Sequence, residues 1–261
     1  GNQMPYRLQV WKEASANFKV AEASASMQDK NAVVEVKYAL PTKNIMTVKY
    51  TIMPSGAITV DGDFAAVTQG DAAKANVPRI GLRFRVPASL NHVQYYGRGP
   101  EENYADRNNG TLLGIYSALA DDMKYDYVRP QECGHHTDTR WLAVGTAKSG
   151  GLKVMSSTPF EFNALRNSVE DYDCENNTNR PRQWSNFSPE EIASHNDAAQ
   201  KQLMRRQTHI NDIAPRPFVE VCIDAKHAGV GGYDSWGARP EQKYLIPAGQ
   251  QHTFSLTIMP M

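Results

Sequence analysis

Two histidines and two carboxylates stand close together in the segment QECGHHTDTRW, residues 131–141. Glu132 precedes His135 and His136, and Asp138 follows them. An imidazole beside a carboxylate can shuttle protons or bind a metal ion. A metal site requires a third ligand, however, and nothing in the sequence places one nearby. We therefore expect no metal here, and the segment holds either hydrogen-bonded loop histidines or an acid–base pair.

A second polar segment, YYGRGPEENYADRNNG at 95–110, interleaves charged residues with tyrosines. Its G-x-G pattern lacks the further glycine and the following helix of a dinucleotide-binding loop, so it does not predict nucleotide binding. The mixture is typical either of a buried salt-bridge network that fixes a long loop or of the rim of a sugar-binding site. The candidate residues are Arg98, Glu101, Glu102, Asn103, Asp106 and Arg107.

Three of the pairs of adjacent acidic residues bear on glycoside hydrolysis. That reaction uses two carboxylates about 5 to 10 Å apart across a cleft. Neighbouring residues point to opposite faces of a strand and diverge by about 100° on a helix, so no adjacent pair can supply both groups. We expect solvated surface charge at all three places, which are 101–102, 121–122 and 190–191.

The glycine-rich segment GVGGYDSWGARP at 229–240 places a tryptophan within a turn. Glycine permits positive φ, so the turn can be tight and can display its side chains outward. The Trp236 indole then offers a flat apolar face to the C–H side of a pyranose, while Asp234 and Arg239 either hydrogen-bond sugar hydroxyls or hold the loop. The alternative is an indole that packs across the end of a β-sandwich. The residues by themselves leave both alternatives open.

Composition and charge exclude several classes of partner. The 261 residues carry 28 Lys plus Arg and 28 Asp plus Glu, for a formal net charge of +0. Nucleic acid and anionic membranes therefore have no electrostatic support as partners, and no apolar run of about 18 residues is present. The three cysteines lie far apart without C-x-x-C spacing, which argues against a disulfide framework or a zinc site. We expect no cofactor, and the compartment, cytoplasm or periplasm, stays open.

Short alternating runs predict an antiparallel, all-β fold. Apolar and polar residues alternate with the period of half-buried strands. The clearest runs are 34–40, 46–52, 80–86, 218–224 and 252–260. Turn residues at 54–56 and at 60–64 stand where hairpins would reverse. Many short strands without a βαβ rhythm indicate a two-sheet sandwich, which we expect to form a single domain over residues 1–261.

Helical signals are few. The segment SPEEIASHNDAAQKQ at 188–202 begins with the N-cap residue Ser188, then Pro189 at the first helical position and the capping-box residue Glu191. Its apolar face is thin, so we expect one or two short surface helices at most. Residues 1–20 are interpreted as a linker-derived strand. The opening GNQMPY has no initiator Met at position 1, which favours a processed piece of a longer protein.

The segments taken together resemble the C-terminal small-chain domain of glycoside hydrolase family 2 β-galactosidases. The matching pieces are PRIGLRF at 78–84, YYGRGPEENYADR at 95–107, YVRPQECGHHTDTRWL at 127–142 and GVGGYDSWGARP at 229–240. They occur in the family's order and span most of the chain. Family members commonly read ENG at 132–134 and often Arg at His136, so the resemblance assigns that loop no role.

The resemblance implies a fold, a reaction and a division of labour. It implies a β-supersandwich, galactose mutarotase-like, and retaining hydrolysis of terminal β-galactosides. It places both catalytic glutamates on an upstream (β/α)₈ barrel, which takes about 250 residues of alternating strands and helices that this chain does not have. We therefore expect no catalytic residue here and no activity from the chain alone. In the family, the tryptophan at the place of Trp236 forms an apolar platform for substrate, and the implied partners are a β-galactoside, the barrel and further copies of the parent.

Two other interpretations accompany this one. An independent aldose 1-epimerase would need a general base and acid, for which Glu132 with His135 or His136 are the candidates. A structural or oligomer-interface module would use Trp236 only for packing.

Overall fold

The computed structural model describes residues 7–148, 150–172, 210–234 and 236–261, and within them the chain is almost entirely β. The strands in these ranges are β1 (Lys19–Gln28), β2 (Asn31–Ala39), β3 (Ile45–Ile52), β4 (Ile58–Phe64), β5 (Arg79–Pro87), β6 (His92–Gly99), β7 (Leu112–Leu119), β8 (His136–Gly145), β9 (Gly151–Leu165), β10 (Phe218–His227) and β11 (His252–Pro260). One α-helix, α1 (Gln9–Ala16), accompanies them in the described part. Every strand pairing is antiparallel, so the predicted all-β antiparallel fold is confirmed.

The long strand β9 organises the sheet. The strands run β1-β2-β3-β4-β11-β9-β8-β6-β7, and β10 pairs with both β5 and β9. The first part of β9 pairs with β11 at 152–155, whereas its last part pairs with β10 at 161–165. Because β9 joins two sets of strands, its residues 161–163 lie near the start of β5 and the end of β10, where the charged side chains described below meet.

Two apolar clusters form the core. The larger cluster is built from alternating residues of β6, β8, β9 and β10, such as Leu142, Phe162 and Val221, which are all fully buried. The smaller cluster lies near the first helix and includes Phe64 and Ile246. Alternation along each strand sends one set of side chains into these clusters and the other outward, as the sequence pattern predicts.

The predicted strand within residues 1–20 is wrong over most of its described length. Residues Gln9–Ala16 form a helix, and the first strand begins only at Lys19. The helix buries Trp11 and Ala14, which are three residues apart and therefore share a face. Trp11 packs on Phe64 with ring centroids 5.9 Å apart. Burial of that face in the smaller core cluster stabilises the helix.

One of the two predicted hairpin turns is also wrong. Pro54–Gly56 does form the β3–β4 turn, and Gly56 donates to Met53 O at 2.9 Å. Residues 60–64 instead lie within β4. A Cβ on Gly62 would stand 2.3 Å from the Phe254 ring, so this glycine serves the close approach of an aromatic side chain and no turn. The helix predicted at 188–202 falls outside the described residues.

Candidate functional site

The segment 229–240, called the Trp236 loop below, carries its tryptophan into solvent. The Trp236 side chain is 92% exposed. Gly231, Gly232 and Gly237 adopt φ values of 65°, 81° and 92°, in the left-handed region that disfavours other residues. Gly232 N–H donates to Ala238 O at 3.0 Å and closes the loop on itself. The indole is thus displayed outward by the glycine-rich turn and is not packed in the sandwich interior.

Two carboxylates hold the loop in shape. Asp234 Oδ1 accepts hydrogen bonds from Trp236 N–H at 2.8 Å and from Ala238 N–H at 3.1 Å. At the base of the loop, Asp106 accepts from Val230 N–H at 3.1 Å and from Gly231 N–H at 2.8 Å. Asp234 therefore acts as a brace of the turn, the second of the two roles that the sequence allowed it. Arg239 is exposed beside it.

A group of buried and partly buried charged and polar side chains lies next to the base of this loop. We call it the buried charged group, and it comprises Arg79, Glu132, His135, Glu161, Asn163, Asp224 and His227. Arg79 Nη2 donates to Asp224 at 2.5 Å and to Asn163 Oδ1 at 2.8 Å. The Asp224 side chain is only 3% exposed, so its charge depends on this arginine.

His135 is the centre of the group and is fully buried. Its Nδ1 lies 2.8 Å from Asn163 Oδ1, and its Nε2 lies 2.7 Å from the Glu161 carboxylate. The Asn163 oxygen also accepts from Arg79, so both ring nitrogens of His135 face acceptors. Burial lowers the pKa of His135, but the hydrogen bond and charge of Glu161 outweigh burial, and the net shift is upward. The geometry and the pKa shift both favour the imidazolium.

His227 lies against His135 with the opposite preference. The two ring centroids are 4.4 Å apart. His227 Nδ1 donates to Ala228 O at 2.7 Å, and its Nε2 lies 3.9 Å from Glu132 Oε1. Burial, followed by the positive charges of His135 and Arg79, holds the pKa of His227 well below its usual value. The adjacent imidazoles are thus driven toward different protonation states.

The fold brings a possible third ligand, His227, beside Glu132 and His135, which the sequence did not place nearby. Among the described residues, ligand atoms of Glu132, His135 and His227 all lie within 4.8 Å of one another. Sequence reasoning missed His227 because it stands 92 residues after His135 and meets it only through the fold. An irregularity in β10 between Asp224 and Lys226 brings Asp224 opposite Gly81 and His227 opposite Arg79, so both point to one face.

His136 takes no part in this group. It is buried on the other side of the strand start and stacks on Phe162, with centroids 5.1 Å apart. Its ring nitrogens lie 3.2 Å from Gly134 O and 3.2 Å from Pro100 O. Burial lowers the pKa of His136 to about 4, so the ring is neutral near pH 7. The structure therefore separates two histidines that the sequence placed side by side.

The polar segment 95–110 forms a salt-bridge network, the first of its two predicted alternatives. Arg98 Nε donates to Asp138 at 2.5 Å, and its Nη1 donates to Thr111 O at 3.0 Å. Glu102 accepts from Arg107 Nη2 at 2.9 Å and from Gly134 N–H at 2.6 Å. The Glu102 side chain is 9% exposed, so the expectation of solvated surface charge is wrong at this position.

Arg79, Glu161, Asn163 and Asp224 belong to the site, and none of them was selected from the sequence. Glu161 stands opposite Asp224 in the β9–β10 ladder, and Arg79 begins β5. Nothing in the sequence indicated them, because each stands next to a core residue such as Ile80, Phe162 or Ile223, at a position that strand alternation assigns to the outward face. No helix among the described residues is long and apolar enough to span a membrane.

Sequence comparisons with a family model and with individual known proteins identify the same family. A family model described as "Beta galactosidase small chain" matches residues 2–258. A β-galactosidase of Priestia megaterium is 27% identical over 262 residues, which cover 100% of this chain and 22% of that protein. A Streptococcus thermophilus β-galactosidase is 28% identical over 264 residues, with 100% and 22% covered. The chain therefore spans about 22% of the length of these relatives.

A solved structure with a similar path is a putative aldose 1-epimerase from Escherichia coli K12. It is 7% identical, with a TM-score of 0.38 over 92% of this chain and 69% of that one.

Proposed function

The chain belongs to the β-galactosidase small-chain family, and from that premise we propose that it completes the sugar-binding site of a larger β-galactosidase, with Trp236 as an apolar platform. The observation that carries the proposal is an indole that is 92% exposed on a loop braced by hydrogen bonds. A large apolar side chain held rigidly in solvent is a costly arrangement for packing alone and a useful one for stacking on a sugar.

The reaction we propose for the longer protein is retaining hydrolysis of terminal β-galactosides. Its two catalytic carboxylates would stand about 5 Å apart on an upstream (β/α)₈ barrel. Within the buried charged group of this chain, Asp224 is bound to Arg79 and Glu161 to His135, so neither is free to attack a sugar. The chain alone is therefore expected to be inactive.

The size of the platform limits what the isolated chain can bind. If a sugar covers about 80 Å² of indole, the gain at roughly 25 cal/mol per Å² is about 2 kcal/mol. A millimolar complex already requires about 4 kcal/mol. The polar contacts that supply the difference would come from the barrel, and galactosides should bind the isolated chain only very weakly.

The barrel, and further copies of the parent protein, are the proposed partners of the exposed apolar surface. On strand β7, Leu112 is 74% exposed and Ile115 is 65% exposed. Val128, nearby in sequence, is 90% exposed. Apolar side chains this exposed are typical of surfaces that a partner covers. Packing of this kind would also stabilise the assembled enzyme.

The test is Trp236→Ala in the longer natural chain. We expect KM for galactosides with large aglycones to rise by about tenfold or more, since the lost stacking is worth about 2 kcal/mol. Trp236→Phe should recover part of the loss, because a smaller ring still offers a flat face. Tyr125→Ala, which removes a 53% exposed aromatic elsewhere, is the matched control and should leave KM unchanged. Unaltered kinetics in Trp236→Ala would remove the residue from the site.

The epimerase interpretation receives no comparable support from the geometry. His135 and His136 are buried, at 0% and 2% exposure, and each holds its ring nitrogens against protein acceptors. A general acid must reach the sugar directly or through one water. Anomer exchange of galactose, followed by NMR with micromolar protein, should show no acceleration over buffer.

A further inference from the structure

We propose that Glu132, His135 and His227 form a binding site for a divalent transition-metal ion of the Zn²⁺ type. The proposal concerns this chain's own side chains and is independent of the sugar platform. It rests on the distances among the three ligands, on the partners that orient the two imidazoles, and on the charge that surrounds them.

The distances among the ligand atoms suit a small metal ion. Zn²⁺ binds imidazole nitrogen and carboxylate oxygen at about 2.0 to 2.2 Å, so tetrahedral ligands lie roughly 3.4 Å from one another. His227 Nε2 and Glu132 Oε1 are 3.9 Å apart, beyond hydrogen-bond distance, and the third ligand brings the largest separation to within 4.8 Å. Rotation of the Glu132 side chain, which is 30% exposed, would narrow the remaining gap. Two imidazoles and one carboxylate are a ligand set that zinc uses, with a fourth position left for water or another ligand.

The second shell is already in place for both histidines. A ligating histidine almost always donates its other ring N–H to a carboxylate or a backbone carbonyl. His227 donates Nδ1–H to Ala228 O at 2.7 Å, which leaves Nε2 as the free lone pair directed at Glu132. His135 has the Glu161 carboxylate at 2.7 Å and Asn163 Oδ1 at 2.8 Å. Ligation releases one ring proton to solvent and replaces one of these two hydrogen bonds, and the other remains to orient the ring.

The charge of the surroundings favours a dication. Three carboxylates, from Glu132, Glu161 and Asp224, face the site. Arg79 pairs with Glu132 and Asp224, and His135 pairs with Glu161. Ligation displaces the His135 proton to solvent, and the three carboxylates and Arg79 then carry two net negative charges, which a divalent ion neutralises. Burial makes such compensation more valuable, because charges in a low-dielectric interior interact strongly.

Tyr104 supplies an independent sign of an incomplete polar environment. Its ring stacks on His135, with centroids 5.1 Å apart, and also contacts His227 at 5.6 Å. The side chain is 1% exposed, and its hydroxyl has no hydrogen-bond partner among the described residues. Buried hydroxyls are normally hydrogen-bonded, so a metal-bound water beside the imidazoles would satisfy a group that the protein leaves unsatisfied.

A cavity reaches one of the three ligands, Glu132. A cavity of ≈ 200 Å³ is lined by Arg79, Glu132 and Asn163. The Glu132 side chain is 30% exposed and marks the solvent side. The bound ion would join the loop before β8 to the end of β10, immediately before the Trp236 loop begins, and so would stiffen the base of that loop.

The experiment measures Zn²⁺ binding to the full 261-residue chain after treatment with EDTA, by competition against a chromophoric chelator. We expect one Zn²⁺ per chain. His227→Gln and Glu132→Gln should each weaken binding by at least about tenfold, and Glu161→Gln, which removes an orienting partner, by about tenfold. His136→Gln is the matched control, because it alters a buried neighbouring histidine outside the site and should leave the affinity unchanged. No stoichiometric binding by the wild type, or wild-type affinity in both ligand variants, overturns the proposal.

Co²⁺ substitution in the wild type keeps the test decisive if a variant fails to fold. A tetrahedral d–d spectrum without a thiolate charge-transfer band is the expected result. A strong thiolate band would assign the metal to cysteines, such as Cys133 or Cys222, and would overturn the proposed ligand set. Loss of affinity in His136→Gln equal to that in His227→Gln would do the same.

Discussion

The Trp236 loop and the buried charged group adjoin each other along the chain and differ in which side chains they bury. The group removes charged side chains from water, whereas the loop leaves an apolar side chain exposed. His227 ends β10 inside the charged group, and Ala228 leads directly into the loop. In the group, charges are taken out of water and each is held by a partner, as Asp224 is by Arg79. In the loop, the largest apolar side chain of the segment is left in water, and backbone hydrogen bonds to Asp234 and Asp106 hold its position.

The difference shows where each region's rigidity comes from. Side-chain electrostatics fix the charged group, so removal of one partner leaves a buried charge uncompensated. Glycine geometry and carboxylate-to-backbone bonds fix the loop, so its side chains contribute little to global stability. Substitutions in the two regions should therefore differ in size and in what they change. The predictions below test that contrast, beginning with the largest effect.

Arg79→Met should lower the free energy of unfolding by about 3–5 kcal/mol, because the Asp224 carboxylate is 3% exposed and would remain charged without its arginine. Urea unfolding gives the measurement. The control is Lys37→Met, which removes an exposed ion pair with Glu22 at 2.7 Å and should not shift the urea midpoint. If the Arg79→Met protein is as stable as the wild type, side-chain electrostatics do not stabilise the charged group, and the proposed difference between the two regions is wrong.

Gly231→Ala should destabilise the Trp236 loop by about 2–3 kcal/mol. An added Cβ would lie 2.7 Å from Ala238 O, and φ is 65°. Gly232→Ala is matched to it, since φ is 81° but the space around a Cβ is open, and only the backbone strain of about 1 kcal/mol should appear. Hydrogen exchange of the Val230 amide reports the loop's opening. Equal effects in the two variants would show that sterics do not shape the loop.

Asp234→Ala should loosen the loop without unfolding the protein. It removes the acceptor of the Trp236 and Ala238 N–H groups, and both amides should exchange about fivefold faster, which corresponds to about 1 kcal/mol of local stability. Asp234→Asn retains an acceptor oxygen and should behave like the wild type. If the alanine variant kept full amide protection, the brace would lie elsewhere.

Trp236→Ala should leave the free energy of unfolding within about 0.5 kcal/mol of the wild type, because the side chain is 92% exposed. Trp11→Ala provides the contrast: that indole is 7% exposed in the smaller core cluster, and its loss should cost about 3–5 kcal/mol. Thermal and urea unfolding of the two variants, side by side, give the measurement. A large loss in Trp236→Ala would mean that the indole packs on the protein after all.

Local patterns predicted the strands well and the connections less well. Alternation located β3 at Ile45–Ile52 and β11 at His252–Pro260 because the period of a half-buried strand is visible within a few residues. The sequence predicted a turn at Gly62. The Phe254 ring, whose close approach requires a glycine there, lies on a strand far along the chain, so no local pattern reveals it. Helix α1 was missed because one short apolar face gains its stability only from the cluster it covers.

The candidate site divides in the same manner. The outward tryptophan could be anticipated from glycines within its own segment, whose backbone requirements are local. The sequence could not predict that His227 contacts His135. An irregularity in β10 changes which of its residues share a face, and only strand pairing brings the two histidines together.

The sequence by itself determined the antiparallel β class, the family and the turn that carries Trp236, because each depends on residue types within short distances along the chain. Only the tertiary structure decided which charges are buried together, which of two adjacent histidines joins them, and that Glu132, His135 and His227 converge. The physical reason is that pairing and burial act between residues distant in sequence. Their free energies depend on neighbours that no local pattern identifies.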